Sequence, residues 1–389
     1  MTNLLTMRRF GNLRSPPEQP LMVAGNHVAF LHDGEASLPA MLAAIAGARD
    51  EVLLEMYWFG SDGTGRTFAE ALSARAQAGV RVCVSYDSVG SWDSDPAMFA
   101  RMRAAGCRVY EYNPIRPWQR RFRLGLLNQR NHRKLLVVDG QIGFTGGINF
   151  ADEWAPFSEG GGGWRDDMVR VEGPAVSDMR AIVLGAFAAA GLDAGSERGL
   201  EPPPARGHCP VRVLANDRFR NRRAIENAYL RQIRRAKVSI LLANSYFLPR
   251  FAVRRALAAA VKRGVEVRVL LPGRSDVPAV AYAMRRLYAW MLERGIHVHE
   301  WPHSILHAKS AVVDSRWCTV GTHNLDYRSW QYNLEINVAV EDATAAHALE
   351  TRLRQDFAES PEVKLSHWNY RPLVERLLEF FFYRFRKLL

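Results

Sequence analysis

The chain has 389 residues, with 52 Lys+Arg against 40 Asp+Glu and a formal net charge of +12. Hydrophobic residues make up 48% and charged residues 24%, an ordinary globular balance that excludes disorder, collagen and coiled coil as the main architecture. The length suits two domains or one large one, and the longest apolar stretch, Ala181 to Leu192, is shorter than the ~20 residues that cross a bilayer.

From the N-terminus, Met1 to Pro20 has no apolar core of signal-peptide length. The four cysteines, Cys83, Cys107, Cys209 and Cys318, show no CxxC spacing, so neither a zinc knuckle nor a disulfide framework is expected. The expectation is a protein of the reduced cytoplasmic side. The positive charge is mostly Arg and often lies beside aromatics, as in Arg116 to Leu127 and Phe380 to Leu389. Such a balance favours a polyanion, either nucleic acid or an anionic membrane surface, and composition alone does not choose.

The elements then repeat. An apolar run at Ala48 to Phe59 precedes a stretch with Phe68, Leu72 and Ala76 at helical spacing, followed by an apolar run at Ala78 to Tyr86. Later come Arg235 to Phe247, a stretch with Leu257 and Val261 at helical spacing, and Arg263 to Gly273. Ala104 to Tyr112 likewise matches Glu293 to Trp301, and Asn131 to Asn149 matches Leu306 to Asn324. Alternating strand and helix predicts an α/β protein of two similar halves, each a mostly parallel sheet flanked by helices. Two such halves pack most simply about a pseudo-twofold axis with one shared site. The predicted organisation is an N-terminal extension (1–37), a first half (38–190), a Gly- and Pro-rich linker (191–210), a second half (211–360) and a basic amphipathic tail (361–389).

The segment most alike in the two halves is His-x-Lys-x4-Asp-x6-Gly-[Gly/Thr]-x-Asn. The first copy is His132, Lys134, Asp139, Gly146, Gly147 and Asn149. The second is His307, Lys309, Asp314, Gly321, Thr322 and Asn324. Residues two apart on a strand share a face, so each His projects with its Lys. The Asp has opposite parity and is expected to fix neighbouring structure, although it completes the catalytic motif. A turn returns the Asn amide to the His–Lys face. Two His, two Lys and two Asn converging on a point suit a tetrahedral phosphate. Lysine supplies charge and asparagine supplies N–H donors to non-bridging oxygens. One imidazole can attack phosphorus and the other can serve as acid and base. Asp166 and Glu335 are the carboxylates placed to orient one imidazole each. With two lysines for charge neutralisation, neither metal nor cofactor is expected. His297, His299 and His303 read as strand and loop residues, and Tyr327, Arg328 and Ser329 as either pocket lining or rim.

This duplicated motif resembles the phospholipase D superfamily. The surrounding residues, FTGGIN with WRDDMVRVEGPAV, VGTHNLDYRSWQYNLEINV and ANSYFLP, are similar to bacterial cardiolipin synthases, most of all the short B type. The resemblance covers roughly Leu38 to Glu341. It implies transfer of a phosphatidyl group from phosphatidylglycerol to a histidine and then to the hydroxyl of a second phosphatidylglycerol, at the cytoplasmic side of a bacterial inner membrane, by a peripheral protein. It also points to His132 as nucleophile and His307 as acid/base, an assignment the residues alone leave open. Hydrolysis by water is the alternative acceptor chemistry, and nucleic acid is the less favoured substrate because the basic residues alternate with apolar ones. The Arg116 to Leu127 loop, directly before the first motif, is expected at the site mouth as a membrane contact. The tail from Leu373 is expected either to lie in the membrane interface or to pack as a terminal helix.

Overall fold

The computed structural model describes residues 21–116, 127–192, 194, 200–216, 221–368 and 370–387. The first half contains β1 (Val23–His32), α1 (Asp33–Ala46), β2 (Glu51–Met56), α2 (Gly63–Gln77), β3 (Arg81–Asp87), α3 (Pro96–Ala104), β4 (Arg108–Tyr112), β5 (Leu135–Val138), β6 (Ile142–Gly146), β7 (Asp167–Glu172) and α4 (Val176–Ala189). The second begins with β8 (Cys209–Asn216), α5 (Ala224–Arg235), β9 (Ser239–Asn244), α6 (Phe251–Lys262) and β10 (Glu266–Pro272). Then come α7 (Pro278–Arg285), α8 (Tyr288–Leu292), β11 (His297–Trp301), β12 (Lys309–Val313), β13 (Trp317–Gly321), α9 (Tyr327–Gln331), β14 (Glu335–Val340) and α10 (Ala343–Glu359), with α11 (Leu365–Trp368) and α12 (Leu373–Arg384) at the end.

The strands run β11-β10-β9-β12-β13-β14-β8-β1-β7-β6-β5-β2-β3-β4. Read outward from the central β8–β1 seam, the order in one half repeats the order in the other. This is the α/β pair of similar halves that the repeat predicts. The sheet is mixed, however: only β2-β3-β4 and β9-β10-β11 pair in parallel, and the strands between them and the seam pair antiparallel. In chain order strand and helix alternate from β1 to β4 and, with α7 and α8 together before β11, from β8 to β11. In the motif region β5 turns directly into β6, and β12 into β13, as antiparallel neighbours, because a turn of a few residues can join only antiparallel strands. Strand β1 lies within the segment expected to be an extension and pairs with both β7 and β8. Asn26 stitches the seam, donating to the carbonyls of Val23 (2.6 Å) and Cys209 (3.1 Å) and accepting from the Ala175 amide (2.9 Å).

Local signals set the helices. Asp62, Asp95 and Asp342 cap the N-termini of α2, α3 and α10 by accepting backbone amides. Helix α2 turns Phe68, Ala69 and Leu72 inward at the expected spacing. One outer core lies beneath the peripheral helices of each half. A third is shared: it joins Val169, Val171 and α4 residues Met179 and Val183 of the first half to Val320, Val338 and α10 residues Leu349 and Leu353 of the second. No helix among the described residues is long and apolar enough to cross a membrane.

A shared core couples the halves. Leu353→Ala, at a fully buried position, is expected to cost about 2–5 kcal/mol and to shift one cooperative urea transition. Two separate transitions, only one of them moved, would contradict the coupling.

Candidate active site

Each motif enters the site on a segment held by the opposite half. The His132 amide donates to the Leu334 carbonyl (3.0 Å), and Leu334 N donates to Arg130 O (2.9 Å). In the symmetry-related position the His307 amide donates to Arg165 O (2.8 Å), and Arg165 N donates to Ile305 O (2.9 Å). Leu334 and Arg165 immediately precede the two expected carboxylates. The backbone ladder therefore places each carboxylate beside the histidine of the other half. Glu335 accepts from His132 Nδ1 at 3.0 and 3.1 Å, and Asp166 accepts from His307 Nδ1 at 2.8 Å. With Nδ1 engaged, Nε2 of each ring is the nitrogen left for chemistry.

The lysines follow two residues later. Lys134 Nζ donates to His132 O at 3.0 Å, and Lys309 Nζ donates to Ser245 Oγ at 2.9 Å and to His307 O. Both are fully buried. Asn149 Oδ1 accepts from the Trp58 amide (3.0 Å), and Asn324 Oδ1 from Ser245 Oγ (2.8 Å). With these oxygens used, Nδ2 is the donor each asparagine still offers. The fields of Lys309 at His132 and of Lys134 at His307 tie all four basic groups to one locus.

Burial sets the charge states. It pulls His132 down to about 4 against the opposing pull of Glu335, and holds His307 well below its ordinary value with help from Lys309 and Lys134. Both lysines are lowered mainly by burial, Lys134 to about 7 with added repulsion from Lys309, and Lys309 to about 8. Burial raises Asp166 to about 6, opposed by Lys309 and the Trp154 indole, so it is ionised at neutral pH. Burial would raise Glu335 too, but the His132 contact and the Thr322 hydroxyl overcome this and hold it at about 2.

The two carboxylates are seated differently. A Cβ on Gly147 would stand 2.1 Å from Asp166 Oδ1, so only glycine fits there, and Trp154 Nε1 supplies the donor to Asp166 Oδ2 (2.9 Å). At the matching place Thr322 donates its hydroxyl to Glu335 Oε2 (2.5 Å). Aromatic rings close the walls. Tyr57 stands edge-on to His132 at 4.8 Å and beneath Lys134 at 4.8 Å, and Trp154 and Trp164 flank His307 at 5.2 and 5.8 Å.

Asp139 and Asp314 lie away from this locus. Asp139 accepts from the amides of Arg49, Asp50 and Glu51, and Asp314 from those of Lys237, Val238 and Ser239, both from the left-handed region (φ 51° and 52°). They clamp the motif hairpin to the start of the neighbouring strand. Tyr327 is half-buried beside Trp330 and Tyr332, Arg328 acts electrostatically on Tyr57, and Ser329 is buried in α9. His297 and His299 tie β11 to the chain after α10, through Glu362 (2.7 Å) and Ser360 O (3.1 Å). In the loop expected at the mouth, residues 117–126 lie outside the described residues. Sequence reasoning missed the crossing of the carboxylates and the aromatic walls; within the repeat Tyr57 takes the place of Ser245, and these two residues, just past β2 and β9, meet Lys134 and Lys309 respectively.

A two-half α/β frame enclosing one buried pair of crossed His–carboxylate dyads and two lysines defines a phospholipase D-like protein. The family model described as "Cardiolipin synthase, PLD-like domain" matches residues 41–155 and 229–357. The chain belongs to this family. It is 32% identical over 370 residues to the cardiolipin synthase of Geobacillus kaustophilus, covering 93% of this chain and 72% of that protein. It is 33% identical over 370 residues to cardiolipin synthase B of Shigella flexneri, covering 92% and 88%. The crystal structure of phosphatidylserine synthase from Haemophilus influenzae shares the fold, with a TM-score of 0.73 at 12% identity over 96% of this chain and 98% of that one.

The clamping position of Asp139 and Asp314 has a measurable consequence. Asp139→Ala and Asp314→Ala are each expected to cost roughly 1.5–3 kcal/mol of stability, the worth of charge-assisted bonds to backbone amides, while the folded fraction keeps turnover within a few-fold. Urea titration and activity per folded molecule measure the two effects separately.

Proposed function

We propose that the protein is a cardiolipin synthase that transfers a phosphatidyl group between two phosphatidylglycerol molecules through a phosphohistidine. The carrying observation is the crossed pair of dyads around two buried lysines, in a chain of the cardiolipin synthase family. Nε2 of His132, neutral at working pH, attacks phosphorus; the anionic phosphate, seated beside His307 and its Asp166 partner, raises that imidazole so that it takes up a proton as substrate binds, and the bond to the glycerol headgroup breaks as its Nε2–H gives that oxygen the proton. The hydroxyl of the second phosphatidylglycerol then passes its proton to His307 and attacks phosphorus, and the P–N bond breaks to release cardiolipin. The firmly ionised Glu335 suits the ring that gains positive charge on phosphorylation, which supports His132 as the nucleophile. Lys134 and Lys309, with Nδ2 of Asn149 and Asn324, face the non-bridging oxygens.

Bringing an anion between two buried ammonium groups offsets the burial that lowers both, and the repulsion that Lys309 adds at Lys134, so substrate and charge state reinforce each other. Burial among Tyr57, Trp154 and Trp164 favours a lipid hydroxyl over bulk water as acceptor. Residence at the cytoplasmic face of a bacterial inner membrane fits the charge of +12, since that leaflet is anionic. Nucleic acid is not the favoured partner.

Purified protein incubated with phosphatidylglycerol vesicles and excess EDTA is expected to yield cardiolipin and glycerol. Phosphatidic acid alone would make it a hydrolase, and DNA cleavage without lipid turnover would reject the lipid reading. His132→Ala and His307→Ala are each expected to lose at least a thousandfold in turnover, with phosphoenzyme trapped only in the His307 variant.

The pH profile follows from the buried groups. An imidazole lowered to about 4 is neutral above that pH, while lysines lowered to about 7 and 8 lose their protons as pH rises through those values. On monomeric substrate, kcat/KM is therefore expected to rise through about pH 4 and to descend above it as His307, held well below its ordinary value, and then the lysines lose their protons, the last loss falling at about pH 7–8. A profile still climbing at pH 9 would show that charged lysines are not required.

A further inference from the structure

Helix α12 is built inside out. Its half-buried or buried face carries Glu375, Glu379 and Arg386 alongside Leu378, Phe382 and Tyr383. Phe382 stacks on Tyr282 of α7 (5.8 Å), Tyr383 accepts from Arg254 of α6 (3.4 Å), and Glu379 pairs with Arg371, whose guanidinium covers the Trp368 ring at 3.5 Å. The outward face carries Leu373, Val374, Leu377, Phe380, Phe381 and Phe385, which are 43–72% exposed. The spacing 373, 377, 381, 385 draws a single stripe along the helix. An ordinary surface helix has the reverse polarity, and an apolar patch of this size on a soluble protein marks an interaction site.

We propose that this face docks the protein on an anionic phospholipid bilayer, with α12 lying in the plane of the interface. The inference rests on the lipid-substrate reading above and names the surface that serves it. Three observations select a bilayer as the occupant. First, Arg376 and Arg384 stand among the exposed apolar residues, Lys387 is exposed just beyond them, and neither carboxylate of the helix is exposed. Such a face is complementary to anionic headgroups above apolar chains, whereas a second copy related by a twofold axis would bring arginine against arginine. Second, twelve residues of helix span about 18 Å, enough to lie on a bilayer and too little to cross its ~30 Å core. Third, the helix leads to the site: Lys387 Nζ lies 5.9 Å from the ring of Tyr327, three residues after Asn324 of the second motif. Phe251, 65% exposed at the start of α6, adds an apolar anchor beside it, since Arg254 contacts both the Phe251 ring and Tyr383.

Sedimentation of the 389-residue chain with vesicles of phosphatidylglycerol or of phosphatidylcholine tests the proposal. The double variant Leu377→Glu/Phe381→Glu is expected to lose about tenfold or more in partitioning onto phosphatidylglycerol vesicles and to lose vesicle turnover in parallel. Turnover of a monomeric short-chain phosphatidylglycerol is expected to stay unchanged. Leu373→Glu alone, at the solvent-facing start of the helix, should show a smaller loss in the same direction if the double variant does not fold. Unchanged vesicle binding in both variants overturns the proposal. So does equal binding of the parent protein to both vesicle types, or a change of oligomeric mass in the variants without loss of vesicle binding. The same holds if the face proves to be covered by residues 1–20 and their deletion leaves lipid binding intact. Helix-dependent vesicle binding without any lipid turnover would uphold the docking surface and reject the catalytic reading.

Discussion

Everything in this molecule depends on the exchange of carboxylates across the pseudo-twofold axis. Glu335, at the start of β14, holds His132 of the first half, and Asp166, just before β7, holds His307 of the second. The exchange is a backbone matter before it is a side-chain one. The residue preceding each carboxylate is laddered to the segment carrying the other half's motif. Separating the halves would leave each imidazole without its partner and two buried carboxylates without a counter-charge, which is costly in a low-dielectric interior. The continuous sheet through β1 and β8 and the shared core under α4 and α10 hold that arrangement in register.

Burial does two jobs at the same residues. It strips charge from His132 and leaves Nε2 unprotonated, and it lowers two lysines that a bound anion would raise again. Second contacts keep the groups in place. Arg165, fully buried, binds Asp356 of α10 (2.6 Å) and Asp167 (2.7 Å), so the residue beside Asp166 is anchored to both halves. Arg133, between His132 and Lys134, reaches Asn216 O of β8 at 3.0 Å. These arginines brace the crossing of the two dyads.

Much of the site is legible in the sequence because it is written twice. Duplication separates His132, Lys134 and Asn149 from the many other polar residues, and strand parity alone turns Asp139 and Asp314 away from the histidines. The pairing of carboxylates was not legible. Chain order sets Asp166 after His132 in the same half, and only the three-dimensional crossing assigns it to His307. Strand β1 was hidden because it lies before the first recognisable repeat unit, although β8 is its counterpart in the order of the sheet. The aromatic walls were hidden for another reason: Trp154 and Trp164 lie in a segment of the first half, between β6 and β7, whose second-half counterpart holds the short helix α9 instead. The mixed pairing was missed because strand–helix alternation was extended to the whole repeat, whereas, among the described residues, β4 to β7 and β11 to β14 follow one another with at most a short turn of helix between them, too little for the crossover a parallel pair needs.

The difference between Gly147 and Thr322 has a consequence of its own. A frame repeated this faithfully would offer a reacting phosphate two interchangeable ends, and a donor could enter by either. Threonine on one side and a bare backbone backed by tryptophan on the other make the ends chemically distinct. A hydroxyl can be removed from one without disturbing its mirror position. Thus the molecule has acquired a front and a back, and a single side chain tells one dyad from the other.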